Sequence, residues 1–346
     1  MKFNCGIIGL GRIGCGFDDN PNSKTINTHA GAYFNNKNTN LVSLCDIDKS
    51  KLQKYGRKYN VESKYDDYEK MFNEEDLDCI SICTHAESHL EIVKLAAKHG
   101  VKGIFLEKPM SDSLKSATEI IKICKKHNIK LQVDHFRRFI PVYRKLANEI
   151  KNGVYGELQG CTFYFGAGIA NTGSHIFDLI RMFFGDIKWI EANRSKNDSN
   201  NTNDPNLDVL VHCKNNINCN LLMYNLKNFG INEMNLFSIN SRIKINLMNN
   251  EVHIFKPLKN SGLAYSDLRE KFVIKDSQQQ GIVLGLQELL KSIKDDSTTS
   301  STGKDGYKSI EAIIASNISA KKNGKRVNLP IKSYSYRISS KWIWKN

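Results

Sequence analysis

The sequence predicts a doubly wound, parallel α/β domain followed by an α+β domain with a large, mainly antiparallel sheet. Three observations carry that prediction. Apolar strand-like runs alternate with amphipathic helical stretches up to about residue 152. A glycine-rich turn closes the first of those runs. Beyond residue 152, runs of alternating polarity follow one another across short polar breaks. Strands alternating with helices imply a parallel sheet covered on both faces, whereas successive alternating strands imply antiparallel pairing.

Taken in order, FNCGIIG ends in glycines and NLVSLCDID ends in acid, and DCISICT, GIFLE and IKLQVDH supply the remaining parallel strands. Between them, 50–59, 89–99 and 113–127 space apolar residues three or four apart, the period of a helix buried along one face. In the second half QGCTFYF, LDVLVHC, INCNLLMY, MNLFSIN, RIKINLM and EVHIFK read as a meander of strands. A helix at 173–184 interrupts them early, and helices at 282–293 and 304–322 close the chain. The expected domains are therefore 1–135 and 136–346, the second including the terminal helix and a tail at 332–346. Within that tail Tyr334, Tyr336 and Ile338, with Trp342 and Trp344 beyond, read as a strand with one apolar face that packs on the sheet domain or on a neighbouring subunit, the alternative being a frayed terminus. The Asn-rich stretch 195–206 reads as a loop without assignable chemistry.

Composition narrows the function classes. A chain of 346 residues with 40% apolar and 25% charged residues matches ordinary globular proteins and suffices for two domains. No run approaches the roughly 18 apolar residues that cross a bilayer, and glycines break the apolar start too early for a signal peptide, so a cytoplasmic protein without a membrane partner is expected. Nine scattered cysteines read as buried thiols, and the spacing of Cys79 and Cys83 fits no zinc site, so no metal is expected. Of the net charge of +14, residues 321–346 supply +8. With no basic stripe interleaved with aromatics elsewhere, nucleic acid is not an expected partner, while an anionic small molecule is compatible.

The stretch GIIGLGRIGCG carries the first chemistry. Its position after a strand and before a helix-forming stretch suits a dinucleotide pyrophosphate. Gly9 permits the turn, Gly11 lets the backbone approach the phosphates, and Gly14 allows close packing of helix on strand. Arg12 and Ile13 lie within the same turn. The N-terminus of the following helix is expected to offer free N–H groups to the phosphates. Asp46 ends the second strand where a ribose-binding acid belongs, 32 positions past Gly14, the excess being the polar insert 17–28. A carboxylate there accepts from the 2′-hydroxyl of NAD and repels a 2′-phosphate, so NAD is expected over NADP.

At GIFLEKPMS, Glu107, Lys108 and Pro109 stand at the carboxyl edge of the sheet, where open parallel sheets bind ligands. Together with THAGAY, DCISICTHAESH, HFRRFIP, NTGSHIFDLIRMFFGD and the closing GKDGYKSIEAIIASNISAKKNGKRVNLPI, this run resembles the glucose-fructose oxidoreductase and inositol dehydrogenase superfamily (Gfo/Idh/MocA) from about residue 3 to 331. The resemblance implies a Rossmann domain and a sheet domain that helps enclose the substrate and builds a homo-oligomer. It also implies that Lys108 and His175 flank the reacting carbon, with Thr84 and Glu107 beside the cofactor. A neutral imidazole suits the removal of a hydroxyl proton, and an ammonium suits stabilisation of the developing oxyanion.

One position departs from the family's Asp-x-Gly-x-His pattern. Asn171 replaces the acid, so it can orient a substrate hydroxyl but cannot relay a proton. Of the residues after the last parallel strand, His135, Arg137 and Arg138, the expectation is that Arg138 reaches an anionic substrate group, the alternative being pairing with surface carboxylates. Asp178, three residues past His175, either orients the imidazole or pairs with Arg181. His85, His89 and His99 read as ordinary helix-end residues. The expected activity is NAD-dependent oxidation of a secondary alcohol of a sugar, sugar derivative or nucleotide sugar. The alternatives are an inositol or polyol dehydrogenase and a non-catalytic dinucleotide sensor.

Overall fold

The computed structural model describes residues 2–20, 22, 25–197, 203–258, 266–275, 280–332 and 335–339. The chain divides into two compact units, Met1–Ile140 with Gln280–Tyr307, and Pro141–Gln279 with Lys308–Asn346.

In the first unit the strands β1 (Phe3–Ile8), β2 (Thr39–Cys45), β3 (Ser63–Tyr65), β4 (Cys79–Ile82), β5 (Gly103–Leu106) and β6 (Lys130–Val133) pair in the order β3-β2-β1-β4-β5-β6, all parallel. Every residue of β4 and β5 is buried, as expected of central strands covered on both faces. Five of the strands coincide with the apolar runs. The three-residue edge strand β3, SKY, carries no apolar run and escapes a periodicity reading.

Helices α1 (His29–Phe34), α2 (Lys49–Tyr59), α3 (Tyr68–Glu74), α4 (His89–Lys98) and α5 (Leu114–Lys126) join these strands. Their ends follow local chemistry. The Asp48 carboxylate accepts from the Ser50 and Lys51 N–H groups at the start of α2, and Asn60 closes that helix in the left-handed region at φ 54°. In α5 the buried Leu114, Ala117, Ile120 and Cys124 recur every three or four residues behind the Ser113 cap, which accepts from Ser116 N–H.

In the second unit α6 (Pro141–Lys151) precedes β7 (Leu158–Phe165) and α7 (Gly173–Phe184). The strands β8 (Ile187–Arg194), β9 (Leu207–Cys213), β10 (Asn218–Met223), β11 (Glu233–Ser238), β12 (Ser241–Asn246), β13 (Glu251–Pro257) and β14 (Leu268–Lys275) follow. After them come α8 (Gly281–Asp295), α9 (Gly303–Lys321) and β15 (Val327–Asn328). The nine-stranded sheet runs β14-β13-β12-β11-β7-β10-β9-β8-β15. It is not a simple meander, because β7 inserts between β10 and β11 and runs parallel to β10. Burial alternates along β9 and β10, so one face of each strand enters a core.

Helix α8 belongs to the first unit, whereas the sequence reading places 282–293 in the second domain. Its buried Ile282, Leu286, Leu289 and Leu290 join a core with Phe105, Phe139 and Tyr33. Its Gly285 carbonyl accepts from Gln132 Nε2 at 2.7 Å. The six-residue α1 is too short to cover that side of the sheet, and the fifteen-residue α8 supplies the missing apolar face. The first unit also continues to Ile140, beyond the boundary expected at 135. In the tail, Ile338 is buried and Tyr336 lies under the Lys321 ammonium at 4.7 Å, but 335–339 is not a strand. Tyr334, Trp342 and Trp344 lie outside the described residues.

Candidate active site

The glycine turn is built as its residue types require at two positions. Gly9 has φ +95°, and a side chain there would meet the Cys83 carbonyl carbon at 2.7 Å. A Cβ on Gly14 would stand 2.2 Å from the Gly9 carbonyl oxygen. At Gly11, by contrast, nothing lies within 4 Å of where a Cβ would be, so the backbone there faces open space. A phosphate can approach such a backbone closely.

The helix expected directly after the glycines is displaced. Hydrogen-bonded turns lead into a 3-10 helix at Gly16–Asp19, and the true helix, α1, begins only at His29. The insert is held by Asp18, which accepts from Asn27 N–H at 2.7 Å and from the Thr28 hydroxyl. The first amides of α1 are consumed locally: His29 N–H donates to Ile13 O, Ala30 N–H to Gly14 O, and Gly31 N–H to Thr28 Oγ1. The helix N-terminus therefore lacks the free donors expected of it, and any phosphate contact falls to the turn containing Gly11, Arg12 and Ile13.

Asp46 stands just past β2 with Oδ2 accepting from Leu10 N–H at 2.6 Å and Oδ1 accepting from Asp48 N–H at 2.9 Å. These bonds fix a carboxylate beside the glycine turn. An open backbone at Gly11 flanked by a fixed acid fits a dinucleotide.

At the ends of β4 and β5, Thr84 Oγ1 lies 2.7 Å from Ser88 Oγ, and Glu107 is buried with Oε2 accepting the Lys108 main-chain N–H at 3.1 Å. Burial works against the Glu107 charge, but the His29 hydrogen bond and the charges of His29 and Lys108 hold its carboxyl below the ordinary value. His89 is no ordinary helix-end residue. It is 1% exposed, with Nε2 3.1 Å from Thr84 O and Nδ1 3.2 Å from Met110 O, so it ties the β4 end to the segment after Pro109. Burial lowers its pKa. Arg138 donates to Ser300 O at 3.1 Å and pairs with Asp305 at 3.3 Å, which is the carboxylate-pairing alternative.

In the second unit His175 lies on the first turn of α7, continuous with a π-helical turn at Gly168–Thr172 that contains Asn171. Asn171 Nδ2 donates to Ala167 O at 3.1 Å. Four successive amides at the start of this helix are capped from the end of the Asn-rich loop. Gly168 N–H donates to Asn206 Oδ1, Ile169 N–H to Pro205 O, Ala170 N–H to Asp204 Oδ1 at 2.7 Å and Asn171 N–H to Asp204 Oδ2 at 2.9 Å. These are the four donors that a helix start leaves orphaned. Residues 204–206, at the end of the stretch read as carrying no chemistry, thus anchor the segment bearing Asn171 and His175, and no local signal in the sequence pairs them with residues more than thirty positions away. Arg181 pairs with Asp186 through Nη2 at 3.1 Å.

The sequence reading singled out neither His29 nor Asp134. With Glu107 they place ligand-type atoms within 4.8 Å of one another, all buried. Thr28, the helix cap of THAGAY, was the available signal for His29, because a cap fixes where the next side chain points.

Among known proteins, residues 3–135 match the family described as "Oxidoreductase family, NAD-binding Rossmann fold". The D-apiose dehydrogenase of Paraburkholderia graminis is 27% identical over 201 residues, 53% of this chain and 52% of that protein. The myo-inositol 2-dehydrogenase of Thermotoga maritima is 30% identical over 152 residues, 44% of this chain and 42% of that protein. The matches thus span about half the length of these curated relatives. A solved levoglucosan dehydrogenase in complex with NADH superposes with a TM-score of 0.80 at 16% identity, covering 95% of this chain and 100% of that one, which establishes the shared fold. Among the described residues no helix is long and apolar enough to cross a membrane. Residues 3–135 are thus similar to the Gfo/Idh/MocA family of NAD-binding oxidoreductases, over rather more than a third of the chain.

Proposed function

We propose that the chain is an NAD-dependent dehydrogenase that oxidises a secondary alcohol of a sugar, sugar derivative or nucleotide sugar, with Lys108 and His175 at the reacting carbon. One observation supports this most. The ends of β1, β2, β4 and β5 bear, within one unit, the open glycine turn, Asp46, Thr84 and the Glu107-Lys108 turn. The order β3-β2-β1-β4-β5-β6 puts the topological switch between β1 and β4, the position where such sheets bind ligands.

Oxidising an alcohol to a ketone removes a hydride from carbon and a proton from oxygen. NAD, when bound, supplies the hydride acceptor. His175 takes the hydroxyl proton on its imidazole as the carbonyl forms. Lys108 donates from its ammonium to the same oxygen and stabilises negative charge while the proton departs. Asn171 orients the hydroxyl without exchanging a proton. The relatives named for apiose, inositol and levoglucosan support a carbohydrate or cyclic polyol, and a homo-oligomer built through the sheet domain is part of the same proposal.

The test is titration of NAD into purified protein, then a screen of sugars, polyols and nucleotide sugars followed by absorbance of the reduced nicotinamide. His175→Ala should lower turnover by about 10²- to 10⁴-fold with NAD affinity retained. Near-normal turnover in that variant refutes the assignment of the base. Asn171 in place of the family's acid favours a second reading, the dinucleotide sensor, which would bind NAD and turn over no alcohol in the screen.

A further inference from the structure

Behind Lys108, in the first unit, lies a buried cluster that the proposed mechanism leaves unused. His29, the first residue of α1, is 1% exposed. Its Nε2 lies 3.1 Å from Glu107 Oε1 and 3.6 Å from Asp134 Oδ2, and its Nδ1 lies 2.8 Å from Ser81 Oγ. Ser81 donates its own proton to Tyr33 Oη at 3.1 Å, so toward His29 the Ser81 oxygen accepts and Nδ1 carries a proton. An ionised carboxylate only accepts, so Nε2 carries one too. A ring that donates through both nitrogens is an imidazolium. Its ring nitrogens then have no lone pair to offer, and the ring stands as a cation beside the carboxyl groups.

The groups facing His29 come from each neighbouring element: Ser81 on β4, itself bonded to Tyr33 of α1, Cys83 just past β4, Glu107 past β5, Asp134 past β6, and the Phe105 ring with its centroid at 4.7 Å. Burial opposes the imidazolium, but Cys83, Asp134 and Glu107 outweigh it and hold the His29 pKa well above the ordinary histidine value. Glu107 is therefore gripped at both oxygens, Oε1 by the His29 ring and Oε2 by the Lys108 main-chain N–H at 3.1 Å.

We propose that His29 is a positioning residue for Lys108: by holding Glu107 Oε1 it turns Oε2 toward the Lys108 amide and fixes the point from which the lysine side chain departs. The inference rests on Lys108 having the role described above. A side chain with four rotatable bonds reaches a reacting oxygen reproducibly only if its Cα is held, and the buried charge-assisted pair supplies that hold.

Hydrogen exchange of the Lys108 amide in the full-length protein tests the clamp without a substrate, by mass spectrometry of peptides spanning Leu106 to Met110. His29→Ala should accelerate that exchange about tenfold or more, while peptides from β4 and α5 stay at the wild-type rate. His29→Gln should remain near wild type, because its Nε2 can still donate to Glu107 Oε1. Glu107→Gln should accelerate exchange, since His29 and Lys108 bond to different carboxylate oxygens and the amide puts an NH2 group in place of one of them. An unmoved Lys108 amide in His29→Ala, or equal acceleration in His29→Gln and His29→Ala, overturns the proposal. If His29→Ala does not fold, the other two variants decide, and acceleration in Glu107→Gln without acceleration in His29→Gln is the required pattern. A failed alcohol screen with this exchange pattern intact counts against the dehydrogenase reading alone. Turnover with no change in exchange counts against the clamp alone.

Discussion

Asp46 Oδ2 accepts the Leu10 main-chain N–H at 2.6 Å, so the acid at the end of β2 is fastened to the turn that begins the glycine motif. A 2′-phosphate held at that turn would meet a fixed negative charge. NAD should bind more tightly than NADP, and Asp46→Asn, which keeps an acceptor for Leu10 but removes the charge, should narrow the preference about tenfold or more. Parallel titrations of both cofactors check this, and equal affinities in the wild type would sink the assignment.

Gly11 and Gly14 should respond oppositely to alanine. An added methyl at Gly11 meets nothing within 4 Å, so Gly11→Ala should change stability by less than about 0.5 kcal/mol while weakening NAD binding. At Gly14 the methyl would stand 2.2 Å from the Gly9 carbonyl oxygen, and Gly14→Ala should cost about 1–3 kcal/mol or more. Denaturant unfolding and NAD titration of both variants separate the two effects. Unchanged NAD affinity in Gly11→Ala means that no phosphate approaches this backbone.

Asp134 makes stability depend on pH. Burial and the neighbouring Glu107 carboxylate push its carboxyl up to about 7, and Oδ1 is buried without a hydrogen-bond partner among the described residues. A raised folded-state pKa means that the native protein keeps a proton the unfolded chain releases. The stabilisation is full below the unfolded value of about 3.9 and is lost as pH rises toward the folded value, by up to about 1.4 kcal/mol per pH unit. His29, also raised, acts in the same sense above its unfolded value, whereas the lowered Glu107 contributes stability that is lost on acidification. Asp134→Asn cannot titrate, so it should gain on the wild type as pH goes from about 5 to about 8. Melting temperatures of both proteins across that range are the check, and a pH-independent difference refutes the raised carboxyl.

Asp204 caps the helix of His175 from the far end of the Asn-rich loop. Asp204→Ala leaves the Ala170 and Asn171 amides without their acceptors and should cost about 1–3 kcal/mol, with a loss of kcat/KM that Asp204→Asn partly restores through its one remaining oxygen. Unfolding curves and turnover of both variants measure this. Full turnover in a stably folded Asp204→Ala protein would show that the cap does not position His175.

Whatever depends on neighbours a few residues apart is legible in the sequence. Helices such as 173–184 follow from apolar spacing, and α2 is bounded by Asp48 and Asn60 because caps act within one turn. Gly9 and Gly14 are legible for the same reason, since a tight turn forbids side chains locally. Tertiary structure alone decided what depends on residues far apart in the chain. His29 meets Ser81 and Glu107 across 52 and 78 positions, and only pairing of β1 with β4 and of β4 with β5 brings them to one buried spot. The Asp204 cap, the insertion of β7 beside β10, and the return of α8 to the first unit have the same character. Each is selected by burial of apolar surface and by satisfaction of buried polar groups over the whole fold, and neither quantity is encoded in the period of any single segment.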